Sequence, residues 1–215
     1  MTGRDVAQAA LELEKSPRVP VTVIGGGACY VHMLGKTFAQ IKDDPEKISD
    51  VFIRAYRKIG HDLMWTGSNF INYPIHFLGC PIQDDSSDNP ALLGTVIESI
   101  EEWQPLDMEK VLKNPVMQGI IYSHHLVADE IGQETMLIPT LWGPFTAAAR
   151  IVGTEELMMA LLTDPESLLE LIRFFAELTW SLAEQIMDHP DIRGINLSEP
   201  VASGDLISPD YFKKF

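Results

Sequence analysis

A repeated unit of helix and strand constrains the fold of this chain more than any other sequence feature. Each copy begins at a glycine, Gly35 or Gly153, and runs through a short helical stretch to Asp-Pro-Glu, at residues 44–46 and 164–166. Asp is a favoured N-cap and Pro a favoured first helical residue, and a long helix with one apolar face follows both times. A strand follows each long helix. This order predicts crossover helices packed on a parallel sheet.

The sequence predicts an α/β protein with four strands. An amphipathic helix at residues 4–14 precedes them, and the last strand is predicted to be buried with an acid at its tip. Four strands with crossover helices amount to about half of a TIM (β/α)₈ barrel, which has ~250 residues. We therefore expect residues 1–215 to form the N-terminal part of a single barrel domain, with roughly its first four βα units. The strands are predicted at residues 19–24, 62–66, 136–141 and 195–197.

Two further segments extend this prediction. Residues 80–106 are rich in Asp, Ser and Pro and are expected to form a long loop or lid. After the last strand, Ser208 and Pro209 begin a helix that stops at Phe215, so the fold looks incomplete. A parallel sheet with an uncovered edge must be completed by more chain or by a partner. We therefore expect a homo-oligomer.

Composition argues against several classes of function. Sixteen Lys and Arg against 31 Asp and Glu give a net charge of −15, and no basic cluster stands out. Binding to nucleic acid or to an anionic membrane surface is therefore not expected. The longest apolar runs fall far below the roughly 20 residues that span a bilayer. With two cysteines, Cys29 and Cys80, a disulfide framework is not expected, and a cytoplasmic location is predicted.

Three stretches carry a resemblance to a known family. They are Arg-Val-Pro-Val at residues 18–21, Gly-Pro-Phe-Thr at 143–146, and Ser-Glu-Pro at 198–200 followed by Ala-Ser-Gly-Asp-Leu-Ile-Ser-Pro at 202–209. Through them, nearly the whole chain resembles the N-terminal portion of the uroporphyrinogen decarboxylase superfamily. The resemblance implies a TIM barrel. It also implies one of two activities, decarboxylation of a tetrapyrrole or cobalamin-dependent methyl transfer.

The sequence departs from the decarboxylase pattern at three positions. Those enzymes carry Arg-Gln-Ala-Gly-Arg-Tyr after the first strand to grip substrate carboxylates, whereas residues 25–30 here are Gly-Gly-Gly-Ala-Cys-Tyr. Their essential aspartate falls near Ser68 and Asn69, and their tyrosine falls at Arg150. The resemblance is therefore closer to the methyltransferase branch. It implies that a partner corrinoid protein supplies methylcobalamin, and that the acceptor is a small molecule, either a thiol or tetrahydrofolate of one-carbon metabolism.

The resemblance also bears on zinc. Members of this branch that methylate thiols hold Zn²⁺ through a His-x-Cys pair and a distant Cys, which belong to later strands, and no His-x-Cys occurs in this sequence. The local candidates are Cys29 and His32, two ligands where structural zinc takes four. We therefore expect a packed cysteine and an ordinary helix histidine. The neighbours His124 and His125 cannot face the same way on a helix, and surface or capping roles are expected for them.

Glu199 is the residue that we predict to be catalytic. It follows the last strand, where barrel enzymes place their chemistry, and its carboxylate could position a pterin, a thiol or a corrinoid contact. A structural alternative stays open, in which Glu199 caps Ser203 and the following turn.

Five residues are predicted to bind substrate or cofactor. Ser68, Asn69 and Trp142 end other strands and are expected to line the same mouth as Glu199, although Trp142 could instead be core packing. Asn196 is predicted to be a buried amide, which needs partners from a network or a ligand. Arg150 completes the set.

Three functional hypotheses stay open. The first is a corrinoid-dependent methyltransferase, the second is a tetrapyrrole decarboxylase with an unusual site, and the third is a half-barrel that binds a corrinoid protein or a second copy without catalysis. A phosphate-binding loop at residues 25–27 is not expected, because neither the Gly-x-Gly-x-x-Gly spacing nor a Gly-Lys-Ser/Thr ending is present. A close backbone approach explains these glycines better.

Overall fold

A computed structural model of the chain describes residues 1–86 and 88–215. Helices dominate it, and the strands are short. The helices are α1 Gly3–Leu11, α2 Gly27–Met33, α3 Pro45–Ile59, α4 Tyr73–Phe77, α5 Glu109–Leu112, α6 Pro115–Ile131, α7 Pro144–Val152, α8 Thr154–Thr163, α9 Pro165–Met187 and α10 Pro209–Lys214. The strands are β1 Leu63–Met64, β2 Ile82–Gln83, β3 Ala91–Leu92, β4 Met136–Leu137, β5 Thr140–Trp142 and β6 Asn196–Ser198.

The strands pair two by two. β1 lies parallel to β4, with Leu63 opposite Met136, and β5 lies parallel to β6, with Thr140 opposite Asn196. β2 and β3 form an antiparallel hairpin. The predicted α/β class is therefore confirmed, and its main pairs are parallel. The described residues form three two-stranded sheets and no closed barrel.

The first predicted strand, residues 19–24, is not a strand in the structure. One backbone hydrogen bond joins it to the residue before β1, where the Asp62 N–H donates to the Val21 carbonyl at 2.9 Å. The N–H of Val21 donates to the Asp62 carboxylate instead, at 2.8 Å, because Arg18 holds that carboxylate in place. The Val21 N–H, which could otherwise donate to a backbone carbonyl and continue the strand pairing, is thus bonded to the Asp62 side chain. Val19 is 81% exposed.

The strand predicted at residues 136–141 is two strands. Its backbone follows β1, since Ile138 N–H donates to the Met64 carbonyl and Thr140 N–H to the Thr66 carbonyl, each at 3.0 Å. Pro139 has no N–H to give to a ladder. Its carbonyl accepts from the Asn196 N–H at 2.8 Å, so pairing with β6 begins at the proline, while Thr140 beyond it still bonds to Thr66 on the β1 side.

The repeated Asp-Pro-Glu units begin helices as predicted. Asp44 accepts hydrogen bonds from the N–H groups of Glu46 and Lys47 at the start of α3, and Asp164 accepts from Ser167 at the start of α9. α3 and α6 pack against each other in the core. The buried apolar side chains on these two helices include Ile48, Val51, Phe52, Ile120 and Val127. Among the described helices, none has both the length and the apolar character needed to cross a membrane.

The 80–106 segment contains the β2–β3 hairpin and is attached to the body of the protein at several points. The Ala39 N–H donates to the Asp84 carbonyl at 2.8 Å, and the Val96 N–H donates to the Ile151 carbonyl at 2.8 Å. Further along, the Ile100 N–H donates to the Glu156 carboxylate at 2.8 Å. Its role as a lid stays a prediction.

Candidate functional site

Glu199 follows β6 and reaches across to the start of α7. One carboxylate oxygen accepts from the Phe145 N–H at 3.0 Å and the other from the Thr146 N–H at 2.8 Å. The N-cap of α7 is Gly143, which has no side chain to cap the helix, and a Cβ there would overlap the Glu199 carboxyl group. Glu199 therefore caps α7, where the helix dipole favours a negative charge. The structural alternative was that Glu199 caps Ser203 and the following turn. Its carboxylate caps α7 instead.

The Glu199 carboxylate has hydrogen-bond acceptor sites that the capping contact does not use. An ionised carboxyl group has about four acceptor sites, and the two N–H groups use two of them. Glu199 is half-buried and lines a largely apolar cavity of about 450 Å³ with Phe145, Ile207 and one cation, Arg173. Ser68, Asn69 and Trp142, which were expected to share a mouth with Glu199, do not line this cavity. It can therefore still accept a hydrogen bond from a ligand. That Glu199 is catalytic stays a prediction.

Trp142 ends β5, and three polar contacts fix it. Its indole N–H donates to the Asn72 side-chain oxygen at 2.8 Å, and its carbonyl accepts from the Thr179 hydroxyl at 3.2 Å. The Arg150 guanidinium lies 5.1 Å from the centre of its ring, within the range of a cation–π contact. Two residues of the predicted binding set, Trp142 and Arg150, thus lie together.

Ser68 and Asn69 follow β1. The Ser68 hydroxyl donates to the Asn69 side-chain oxygen at 3.2 Å, and the Asn69 amide nitrogen donates to the Asn89 side chain. Asn69 is 3% exposed. A Cβ at Gly27 would overlap the Asn69 oxygen, so the close backbone approach predicted for the glycine run is confirmed at Gly27.

Asn72, which the sequence prediction did not include, connects these two groups. Its amide nitrogen donates to the Pro90 carbonyl at 2.8 Å while its oxygen accepts from Trp142. Pro90 is the chain neighbour of Asn89, the partner of Asn69. We call the connected set the mouth cluster. It consists of Ser68, Asn69, Asn72, Asn89, Trp142 and Arg150.

Asn196 is not the buried amide that was predicted. It is half-buried, and its neighbour Leu197 is 53% exposed. The reason is that β6 has a described strand, β5, on one side only. Across that pair lies Thr140, whose buried hydroxyl has no hydrogen-bond partner among the described residues.

His124 corrects another expectation. It is buried, and its Nδ1 lies 2.9 Å from the hydroxyl of Thr66, two residues after β1. Burial, followed by the neighbouring His125, lowers the pKa of His124 to about 3, so the ring is neutral. A surface or capping role is therefore wrong for His124. It is confirmed for His125, whose Nε2 donates to the Gln185 carbonyl at 3.1 Å, near the end of α9.

The weak metal candidates lie on α2. Cys29 and His32 are one helical turn apart and both are exposed, so the expected packing of Cys29 is wrong. Within residues 1–86 and 88–215, no group of three or more His, Cys, Asp or Glu side chains is placed to hold a metal ion.

These features define an α/β protein whose candidate polar residues gather where parallel strands end, as in many α/β enzymes. The family model described as uroporphyrinogen decarboxylase (URO-D) matches residues 2–215. The chain therefore belongs to the uroporphyrinogen decarboxylase family.

Its similar proteins include methyltransferases of methanogens. The chain is 24% identical to the methylated-thiol–coenzyme M methyltransferase of Methanosarcina mazei, with 95% of this chain and 58% of that protein aligned. It is 22% identical to the methylcobamide:CoM methyltransferase MtbA of Methanosarcina acetivorans, with 100% and 63% aligned. The predicted family is thus confirmed, and so is the predicted resemblance to its methyltransferases.

A solved structure has the same fold. A methyltransferase from Methanosarcina mazei superposes with a TM-score of 0.81 at 19% identity, over 100% of this chain and 64% of that one. The chain thus spans about three fifths of the proteins that it matches.

Proposed function

We propose that this chain is part of a corrinoid-dependent methyltransferase. A partner corrinoid protein would supply methylcobalamin, and the methyl group would pass to a small thiol or to tetrahydrofolate. The names of the two aligned relatives support this proposal, since one acts on a methylated thiol and the other on a methylcobamide. The described units would then be the first four of a (β/α)₈ barrel.

The observation that carries the proposal is the chemistry of the mouth cluster. A tetrapyrrole with several carboxylates needs several cations, because burying unpaired carboxylates is costly. The mouth cluster contains one cation, Arg150, which stacks on Trp142. Its other polar groups are neutral: the Ser68 hydroxyl and the amides of Asn69, Asn72 and Asn89. The rim of a corrin carries carboxamides, which neutral amides match as donors and acceptors.

Each side chain then has a definite task. When bound, methylcobalamin would supply an electrophilic methyl group, with the electron pair of the broken cobalt–carbon bond staying on the corrinoid. Trp142, half-buried at the end of β5, offers an apolar wall that excludes water from the acceptor. Glu199 caps α7. The lone pairs that this cap leaves free would bind the N–H or S–H of the methyl acceptor. The Glu199 carboxylate would accept the N–H or S–H proton that the acceptor releases.

The zinc of thiol-methylating relatives is a separate part of the proposal. Zinc would turn the acceptor thiol into a thiolate. Cys29 and His32 supply two exposed ligands on one helix, which is fewer than a zinc site needs. We therefore route no step through zinc at these residues. If a thiol is the acceptor, the ion would take its ligands from sequence beyond the matched residues.

A non-catalytic binding module is the second candidate, because apolar side chains are exposed at both ends of the row of strands. Val19 and Ile24 are 81% and 72% exposed beside β1, and Leu197 is 53% exposed on β6. Covering them with a second copy would give the homo-oligomer expected from the sequence. Sedimentation equilibrium tests this candidate. A monomer at micromolar concentration, with no binding of the exposed-surface dye ANS, would count against it.

Parallel turnover assays test the proposed function. The full-length protein is incubated with methylcobalamin and either a small thiol or tetrahydrofolate, and separately with a carboxylated tetrapyrrole. We expect a methylated acceptor and no loss of CO₂. Glu199→Gln should lower the rate of methyl transfer, and Glu177→Gln, an exposed control on α9, should not. Release of CO₂ without methyl transfer would replace the proposal with the decarboxylase hypothesis.

A further inference from the structure

Asn72 occupies the N-cap position of α4 without capping it. Asparagine at this position ordinarily accepts a hydrogen bond from the first turn of its helix. Here the side chain makes no such bond. Its amide is used elsewhere, with the oxygen on the Trp142 indole and the nitrogen on the Pro90 carbonyl, both at 2.8 Å. Helix capping therefore does not explain why this position is an asparagine.

The two partners fix the orientation of the amide. An indole N–H can only donate, and a proline carbonyl can only accept. The side-chain oxygen of Asn72 must therefore face Trp142, and its nitrogen must face Pro90. Aspartate would lack the donor for Pro90, and leucine would lack both groups. A carboxamide of this length satisfies the two contacts together.

The two contacts join different parts of the molecule. Trp142 ends β5 and carries the Arg150 guanidinium over its ring at 5.1 Å. Pro90 belongs to the 80–106 segment, and its neighbour Asn89 is bonded to the buried Asn69. The half-buried amide of Asn72 is the link between the segment and the indole.

We propose that Asn72 is a positioning residue. It holds the indole of Trp142 in the orientation that faces Arg150, and it seats residues 89–90 of the 80–106 segment beside the mouth cluster. Asn72 thus acts on a ligand through Trp142. The consequence for ligand binding rests on the proposed function, whereas the positioning of the indole does not.

Tryptophan indole N–H signals in ¹⁵N-labelled protein test the positioning. The chain has four tryptophans, and Trp142→Phe identifies the signal of Trp142 by its loss. Asn72→Leu should speed hydrogen exchange at that indole about tenfold, the factor that one ordinary hydrogen bond is worth. Asn72→Asp keeps the acceptor and should leave the indole protected. Both variants should speed exchange at the Leu93 N–H, which donates to Pro81 in the same segment at 2.8 Å.

Asn114→Ala is the matched control. Asn114 caps α6 by accepting from Val116 and Met117, so its loss removes an asparagine contact of similar size outside the mouth cluster. We expect it to lower the melting temperature and to leave the Trp142 signal unchanged. An unchanged Trp142 signal in Asn72→Leu would overturn the proposal. Equal acceleration of hydrogen exchange at all four indoles would also overturn it, because the substitution would then have loosened the whole protein.

A methylcobalamin titration separates this proposal from the proposed function. We expect Asn72→Leu to weaken binding about tenfold, as one hydrogen bond would, with Asn114→Ala unchanged. If the unmodified protein binds no methylcobalamin, the proposed function fails and the indole experiment still decides the role of Asn72. If it binds and Asn72→Leu binds equally well while its indole is released, the positioning has no consequence for this ligand and that part of the inference is wrong.

Discussion

Glu199 and Thr146 hold each other's chain segments in place. The Glu199 carboxylate accepts from the Thr146 N–H at 2.8 Å, and the Thr146 hydroxyl accepts from the Val201 N–H at 3.3 Å. The turn after β6 and the start of α7 are thus joined in both directions, although 53 residues separate Glu199 from Thr146 in the chain. A mutation at Glu199 should therefore affect both folding and function.

Removal of the Glu199 carboxylate should destabilise the protein. Glu199→Ala leaves the N–H groups of Phe145 and Thr146 without their acceptor, and a lost helix cap costs about 0.5–2 kcal/mol. Glu177→Ala removes an exposed carboxylate from α9 and should change the free energy of unfolding by less than about 0.5 kcal/mol. Urea denaturation of both variants checks this. Equal effects would show that Glu199 is not a cap.

Two glycines should respond to alanine in opposite directions. A Cβ at Gly143 would overlap the Glu199 carboxyl group, so Gly143→Ala should lower stability. At Gly119, within α6, a Cβ would meet its nearest neighbour, Pro45 Cδ, at 3.8 Å. Gly119→Ala should therefore raise stability by about 0.5–1 kcal/mol, the helix preference of alanine over glycine. Thermal unfolding of the pair checks both signs.

Buried neutral histidines should make the fold sensitive to acid. The unfolded chain takes up a proton on His124 near its ordinary pKa of 6.5, whereas burial lowers the folded pKa to about 3. The stabilising contribution is therefore complete above pH 6.5 and is lost as the pH falls from 6.5 toward 3. Burial also lowers the pKa of His61, whose Nε2 lies 2.8 Å from the Tyr30 hydroxyl, so it acts in the same direction.

His124→Gln tests this acid dependence. In the unmodified protein, the free energy of unfolding should fall by up to about 1.4 kcal/mol per pH unit for each such histidine. The variant should have a shallower slope between pH 6 and pH 4, whatever its stability at pH 7. Urea denaturation at several pH values measures this, and parallel slopes would contradict the burial of a neutral His124.

Asp62 should contribute more to the stability of the fold than an exposed acid that also pairs with an arginine. Its hydrogen bond with Arg18, with help from the Val21 N–H, holds its pKa below the ordinary value. Asp62→Asn should cost about 1–3 kcal/mol, as a charge-assisted hydrogen bond would. Asp50→Asn breaks an exposed contact with Arg54 and should cost less than about 0.5 kcal/mol. Guanidinium denaturation compares the two variants. Similar losses of stability would show that the Asp62–Arg18 contact contributes no more than the exposed pair.

Local signals in the sequence predicted the helix starts correctly, because a cap depends on residues within three positions. Asp44 and Asp164 both cap the helices that their Asp-Pro pairs predict. Burial was harder to predict. Whether His124 faces the core depends on how α6 packs, and Leu197 is exposed because β6 lies at a sheet edge, which residues 195–197 alone do not reveal.

The candidate site was predictable only in part. Ser68, Asn69 and Trp142 could be named because they end strands in an α/β pattern. Asn72 could not, because its partners Pro90 and Trp142 lie 18 and 70 residues away in the chain. An asparagine before a short helix indicates a cap, and the structure uses its amide for long-range contacts instead.

Transfer of a labelled methyl group tests the central proposal most directly. Methylcobalamin with a deuterated methyl group is incubated with the full-length protein and, in separate reactions, with a small thiol and with tetrahydrofolate. Mass spectrometry then follows the label. We expect one of the acceptors to gain the deuterated methyl group at a rate that depends on the protein and falls in Glu199→Gln. If the label stays on the corrinoid with both acceptors while the protein is folded and binds methylcobalamin, corrinoid-dependent methyl transfer to these acceptors is contradicted.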